Sequence, residues 1–263
     1  MVKLNHFLIV NNKMLKIAIS GSTGRIGKAL IKAIGQNEDF ELVGGVAGQE
    51  NQNIGKDLGE IAEVEKIGVP LSSNLYDLSE EIGVLIDFSE AKFSLKAVEY
   101  SKNLHIPLVL GTTGYEDEDL NMIRGASQFI PLLKASNTSL GIAFLKKIID
   151  LTSDSFSYFD NLEILETHHQ DKKDSPSGTA LDLANFLSER IKGKDAIDAI
   201  AIESQRTGDT AGEHKIILSK EAERIELTHK ALDRSIYAKG ALAAAKWLNS
   251  KPNGLYSMSD IYS

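Results

Sequence analysis

Cysteine is absent from the 263-residue chain, which excludes disulfides and thiol catalysis and leaves no soft sulfur ligand for a tetrahedral metal site. Long apolar runs are missing too. The longest near the start, Phe7 to Val10, is too short for a signal-peptide core or a membrane span. Positive charge is not in excess: 29 Lys and Arg face 37 Asp and Glu, for a net charge of -8. That balance gives no basic footprint for nucleic acid, so an anionic ligand has to be bound in a local pocket. Repeats and low-complexity tracts are lacking, and the single tryptophan, Trp247, reads as core rather than as a stacking platform. A soluble, cytoplasmic chain is the expectation.

What is present concentrates in residues 166–180, Glu-Thr-His-His-Gln-Asp-Lys-Lys-Asp-Ser-Pro-Ser-Gly-Thr-Ala. Histidine is the side chain best able to give or take a proton near neutrality, and a lysine close by draws negative charge toward it. His168, His169 and Lys172 are therefore candidates for proton transfer and anion binding. Ser175 and Ser177 are N-cap types, Pro176 suits a first helical position, and apolar residues recur at Ala180, Ala184, Leu187 and Ile191, so a helix begins close to 177–179. Unpaired backbone N–H groups at such a start suit a carboxylate, held by the Gly178 and Thr179 amides and the Thr179 hydroxyl. A metal site is disfavoured, because adjacent side chains on an extended segment point apart.

Residues 14–20 form an apolar run ending in Gly21-Ser-Thr-Gly24-Arg-Ile-Gly27, after which Leu30, Ile31 and Ile34 repeat at helical spacing. Strand, glycine turn and helix in that order are the context in which a pyrophosphate approaches the backbone. The acidic residue expected after the second strand, for a ribose 2′-hydroxyl, is replaced by Ala47, Gly48 and Gln49, with Glu50 just beyond. The choice between NADH and NADPH stays open. Apolar runs at 84–89, 107–114 and 129–133 end in polar residues, and Phe93, Ala97 and Tyr100 mark a crossover helix. This alternation predicts a Rossmann-like, doubly wound parallel α/β sheet.

The pattern changes near Asn137. Segments 162–166, 199–203, 214–218 and 223–228 read as strands of an open mixed, largely antiparallel sheet in an α+β domain, with a long glycine-rich loop over 204–214 that covers or bridges subunits. An open sheet of this size invites a second copy, so a homo-oligomer is expected. The helix over 234–248 carries an alanine-rich packing stripe and is expected to return to the first domain, followed by a docked tail. The division is thus 1–136 with 234–263 for dinucleotide binding, residues 1–13 being an extension without an assigned role, and 137–233 for substrate binding and oligomerisation. Residues 192–195 read as a helix end and loop.

Together these motifs resemble the dihydrodipicolinate reductase family over nearly all of the chain from Met14. The resemblance rests on Gly21 to Gly27, Asp87-Phe-Ser89, Gly111-Thr-Thr-Gly114, Glu166-Thr-His-His-Gln-Asp-Lys172 with Pro176-Ser-Gly-Thr179, Arg206-Thr-Gly with Gly212-Glu-His214, and Arg234 with Gly240-Ala-Leu. It implies hydride transfer from NADH or NADPH to a dianionic cyclic imine, after loss of water, in lysine and diaminopimelate biosynthesis. By matching positions His168 is the acid and Lys172 stabilises developing charge, while His169, Lys172, Ser177, Gly178 and Thr179 hold the substrate. Gly21, Gly24, Arg25, Ile26, Gly27, Asp87, Phe88, Ser89, Gly111, Thr112, Thr113, Ser136, Asn137 and Arg234 line the cofactor. The family also implies a cytoplasmic homotetramer, and domain closure about hinges near Asn137 and Asp233. Without the resemblance, another two-domain nicotinamide enzyme or a non-catalytic dinucleotide sensor would share the glycine turn.

Overall fold

The computed structural model describes residues 13–190 and 200–262; the N-terminal extension and the loop expected over 192–195 fall outside them, apart from Lys13. The first strand, β1 (Leu15–Ser20), lies between β2 (Phe40–Val46) and β4 (Val84–Asp87). The sheet continues through β5 (Leu108–Leu110) and β6 (Pro131–Lys134) on one side and β3 (Leu71–Ser72) on the other. Every registered pair in it is parallel. Parallel strands covered on both faces read as continuous apolar runs, and β4 and β5 are buried at every position.

Helix α1 (Arg25–Gly35) packs on one face, burying Leu30, Ile31 and Ile34. Beside it lies α7 (Ser235–Leu248), whose Ala238, Ala241, Ala244 and Ala245 join Ile17, Ile19 and Leu30 in one core. Small side chains there allow close approach of the two helices. The opposite face is covered by α3 (Ala91–Leu104) and α4 (Asp117–Ala126) through Ala97, Val98, Tyr100 and Ile123. The tail does more than dock. Its segment β11 (Gly254–Tyr256) adds an edge strand parallel to β6, a pairing that its short, mixed-polarity sequence did not announce.

The second sheet has the order β10-β9-β7-β8. Strand β7 (Asn161–His168) pairs parallel with β8 (Ile200–Arg206) and antiparallel with β9 (Gly212–Lys220), which pairs with β10 (Glu223–Ala231). Helices α5 (Leu140–Thr152) and α6 (Gly178–Ser188) cover its inner face with Ile142, Leu145, Ile149, Leu183 and Leu187, against Ile164, Ile216 and Leu218. The sheet is mixed, as expected, but its strands run further than the apolar alternation indicated. The long loop expected over 204–214 shrinks to 207–211. Among the extra strand residues, Ser204, Arg206 and Gly212 turn toward Glu166 and His168, while Gln205 is exposed.

Candidate active site

The glycine turn is fixed by sterics. Gly21 has φ +80°, and a Cβ there would lie 2.3 Å from the Phe88 carbonyl oxygen; at Gly27 it would lie 2.3 Å from the Gly21 carbonyl oxygen. The turn hangs from the end of β2, because the amides of Gly21 and Ser22 donate to Val46 O at 3.0 and 3.1 Å. Gly24 occupies the N-cap of α1 and offers no side-chain cap, so the first-turn amides at Arg25, Ile26 and Gly27 have no intrahelical partner. This opening, with the positive helix end behind it, fits the pyrophosphate of a dinucleotide. Ile26 packs on the core, while Gly48, Gln49 and Glu50 are exposed just past β2.

Asp87, Ser89 and Thr112 do not simply line this groove. Asp87 is fully buried, and its carboxylate accepts from the hydroxyls of Ser20, Ser89 at 2.6 Å, Ser94 at 2.6 Å and Thr112 at 2.6 Å. Tyr115 closes the network on Ser94, and burial pushes its phenol up to about 12, so it stays a neutral hydroxyl. The Asp87 side chain therefore ties together the ends of β1, β4 and β5. Phe88 lies over Gly111, and the exposed Thr113 with Phe88 and Gly111 faces the cleft.

Across that cleft stands the histidine loop. Glu166 and His168 share the inner face of β7. Register places Ser204 and Arg206 of β8 beside them and His214 of β9 opposite Glu166. Glu166, which is fully buried, accepts from His168 Nδ1, from Arg206 Nη2 at 2.9 Å and from the Ser177 amide at 3.3 Å. Burial works to raise its carboxyl pKa, but the neighbouring Ser204 hydroxyl, the Arg206 guanidinium and the charge on His168 hold it below the ordinary value. His168 is pulled below its ordinary value by burial, against the opposing pull of Glu166, with Lys172 and Arg206 adding to the depression. A Cβ on Gly212 would lie 3.1 Å from His168 Nε2, so glycine there leaves room for the imidazole. Glu166, His168 and His214 have ligand atoms close enough to share a cation, but the Arg206 guanidinium already neutralises the carboxylate.

Lys172 pairs with Asp174 at 2.8 Å. His169, Arg25 and Arg234 join these two along one cationic rim, with Lys173 and the acidic Asp171 and Asp209 at its edge. Ser177 lines the cleft, but its side chain also makes contacts within the protein. It is 1% exposed, its hydroxyl caps Ala180 N at 3.2 Å and meets His214 Nε2 at 3.3 Å, and Pro176 precedes the cap instead of opening the helix. Burial drives His214 down to about 3, so it is neutral and can accept from that hydroxyl. Gly178 and Thr179 line the cleft beside it. Between the sheets, Asn137 Nδ2 donates to Thr179 Oγ1 at 2.9 Å and Ser136 Oγ donates to Asp182 at 2.9 Å. Both residues expected at the cofactor thus also hold the start of α6. A cleft of about 380 Å³ is lined by Phe88, Gly111 and Thr113 on one side and His168, Lys172 and Gly178 on the other.

Sequence reasoning assigned no role to Glu166, Arg206 or His214. The signal was there in three two-residue spacings, Glu166-x-His168, Ser204-x-Arg206 and Gly212-x-His214, each of which puts both members on one face of a strand.

Models of the dihydrodipicolinate reductase family match this chain over residues 15–138, as its N-terminus, and 141–262, as its C-terminus. The chain belongs to the dihydrodipicolinate reductase family. The 4-hydroxy-tetrahydrodipicolinate reductases of Pseudomonas fluorescens strains SBW25 and Pf0-1 are each 36% identical over 264 residues, covering 94% of this chain and 98% of theirs. A dipicolinate-bound dihydrodipicolinate reductase from Paenisporosarcina sp. TG-14 superposes with a TM-score of 0.77 at 24% identity, over 95% of this chain and 100% of that one. An amine dehydrogenase from Mycobacterium smegmatis superposes at 0.67 with 9% identity, over 94% and 96%. These two structural likenesses are of fold alone. As a family member the chain is an NAD(P)H-dependent oxidoreductase whose N-terminal domain is the dinucleotide-binding one. The two matched halves split the chain near Asn137, and the second includes α7 and β11, which pack in the first core.

Proposed function

We propose that this chain reduces 4-hydroxy-tetrahydrodipicolinate to tetrahydrodipicolinate in lysine and diaminopimelate biosynthesis, using NADH or NADPH. The observation that carries the reading is the single cleft in which the dinucleotide loops at Phe88, Gly111 and Thr113 face His168, Lys172 and the open start of α6. The overall step consumes one NAD(P)H and one proton and releases NAD(P)+ and one water. The bound dinucleotide supplies the hydride to a ring carbon of the imine left by water loss. Negative charge then builds on the conjugated ring, and His168 quenches it with a proton. His169, Lys172, Gly178 and Thr179 hold the two carboxylates, for which Lys172 exchanges its Asp174 partner for the substrate. Ser177 supports that helix start from below.

The backbone opening at Arg25, Ile26 and Gly27 takes the pyrophosphate, with Gly21 and Gly24 shaping the turn, and Ser136, Asn137 and Arg234 border the dinucleotide. We divide the chain into 1–136 with 234–263 for the dinucleotide and 137–233 for substrate and oligomer contacts, closing about Asn137 and Asp233. No described helix is long and apolar enough to cross a membrane, and the working form is a cytoplasmic homotetramer joined through the second sheet.

The test generates the substrate in situ from pyruvate and aspartate semialdehyde with a synthase and follows nicotinamide absorbance with each dinucleotide separately. Oxidation that requires the complete mixture supports the reading and ranks the cofactors. Folded protein that binds dinucleotide but stays silent with both would overturn it in favour of a sensor or another dehydrogenase. Dipicolinate, the molecule bound in the Paenisporosarcina structure, should compete with substrate.

A further inference from the structure

We propose that Glu166, paired with Arg206, is a positioning residue that locks His168 with its proton on Nδ1 and its Nε2 toward the cleft, and that Arg206 links this lock to the substrate loop. The part of this that concerns proton delivery rests on the acid role assigned above. An ionised carboxylate only accepts hydrogen bonds, so the contact between His168 Nδ1 and Glu166 Oε2 requires the imidazole proton to sit on Nδ1. The remaining nitrogen, Nε2, then lies beside Gly212, at the edge of the cleft that Tyr237 and Lys172 also line. When His168 takes a second proton, Nε2 is the atom that carries it and the atom that gives it up, leaving a neutral imidazole in the same orientation.

A carboxylate this deeply buried stays charged only with strong partners. Arg206 provides one, and the Ser177 amide adds a second. Arg206 reaches further, since Nη2 also donates to the Asp174 backbone carbonyl and Nη1 donates to Gln205 O at 2.8 Å. Asp174 in turn pairs with Lys172. A continuous chain thus runs from the lysine that meets the substrate, through Asp174, Arg206 and Glu166, to the imidazole. The charged and titratable groups facing His168 are Glu166 on its own strand, Arg206 on β8, His214 on β9, with ring centroids 5.1 Å apart, Lys172 in the loop and Tyr237 on α7. Only Glu166 favours the protonated imidazole; the cations oppose it. Removing its charge therefore moves the His168 titration downward in pH.

The experiment is long-range proton–nitrogen NMR of the full chain labelled with 15N-histidine, His168 being assigned by the signals lost in His168→Gln. Wild type at pH 8 should show Nδ1 protonated and Nε2 bare. In Glu166→Gln the tautomers should mix, the titration midpoint and the alkaline limb of the kcat/KM profile should move to lower pH, and kcat should fall about tenfold or more. Dinucleotide Kd should stay within about threefold, and Glu166→Asp should recover part of the loss. A merely structural role would leave tautomer and midpoint where they are. Nε2–H in wild type overturns the proposal without any variant, which covers the case in which Glu166→Gln fails to fold. So does a folded Glu166→Gln with unchanged tautomer, midpoint and kcat. A locked Nδ1–H tautomer with undiminished turnover in His168→Gln supports the positioning and overturns the acid role, so the two readings fail separately.

Discussion

Ser177→Ala separates a residue that supports the site from one that binds the substrate. Its hydroxyl makes two buried contacts, capping Ala180 N at 3.2 Å and meeting His214 Nε2 at 3.3 Å. Loss of the cap costs about 1 kcal/mol. Loss of the donor strands a buried imidazole acceptor, because His214 is 2% exposed and has no other Nε2 partner among the described contacts; an acceptor left unpaired costs roughly 1–3 kcal/mol. The sum is about 2–4 kcal/mol, read as a fall in urea midpoint at unchanged m-value. In a His214→Leu background the acceptor is already gone, so the same substitution should lose only the cap, about 1 kcal/mol. Substrate KM in the coupled assay should stay within about threefold, because the Gly178 and Thr179 groups remain. A KM raised about tenfold or more with an unchanged urea midpoint would refute the reasoning and make the hydroxyl a direct ligand.

Lys172→Ala should lower kcat/KM by about 10–100-fold, the loss of a charge-assisted contact of about 1.5–3 kcal/mol, while dinucleotide Kd measured by fluorescence stays unchanged. Gly27→Ala forces a Cβ to within 2.3 Å of the Gly21 carbonyl oxygen, so the turn must shift at a cost of about 1–3 kcal/mol; weaker dinucleotide binding in titration calorimetry is the expected result, and wild-type affinity would contradict it. His214 is held at about 3 by burial, whereas in the unfolded chain it takes up a proton near its ordinary value. The unfolded state thus binds more protons between those values, and the folded state loses up to about 1.4 kcal/mol per pH unit as pH falls through that window, with nothing lost above it. His168 and His229, also lowered by burial, act with the same sign, so urea midpoints that are flat from pH 7 to 5 would count against the buried imidazoles.

The dinucleotide half of the site was legible because its parts are contiguous. A run of apolar residues, a turn whose glycines admit no side chain, and a helix with Leu30, Ile31 and Ile34 on one face follow one another within about two dozen positions, and each step is dictated locally. The substrate loop was legible for the same reason, since Ser177, Gly178 and Thr179 mark a helix start whatever surrounds them. Contacts that join distant segments were not. Asn137 reaches Thr179 and Arg206 reaches Asp174 through a fold in which β7 lies between β8 and β9, and hydropathy carries no trace of that order.

The shortfall at the second sheet and the unassigned polar residues have one cause. Alternation finds strands by their apolar face, so it ends β8 at Glu203 and begins β9 at His214, where the inward residues turn polar. Those are the positions at which Ser204, Arg206 and Gly212 close around Glu166 and His168. Burying a carboxylate is unfavourable unless it finds partners, and Glu166 has His168 from its own strand at one oxygen and Arg206 from β8 with the Ser177 amide at the other. Inward polarity at a strand end, paired across neighbouring strands at two-residue spacing, is therefore a mark of this site as well as the reason that hydropathy missed its edges. The same logic explains why the Asp87 side chain turns inward: four hydroxyls from β1, the β4 and β5 ends and α3 satisfy it, and a carboxylate so occupied fixes the shape of the loops at the ends of those strands.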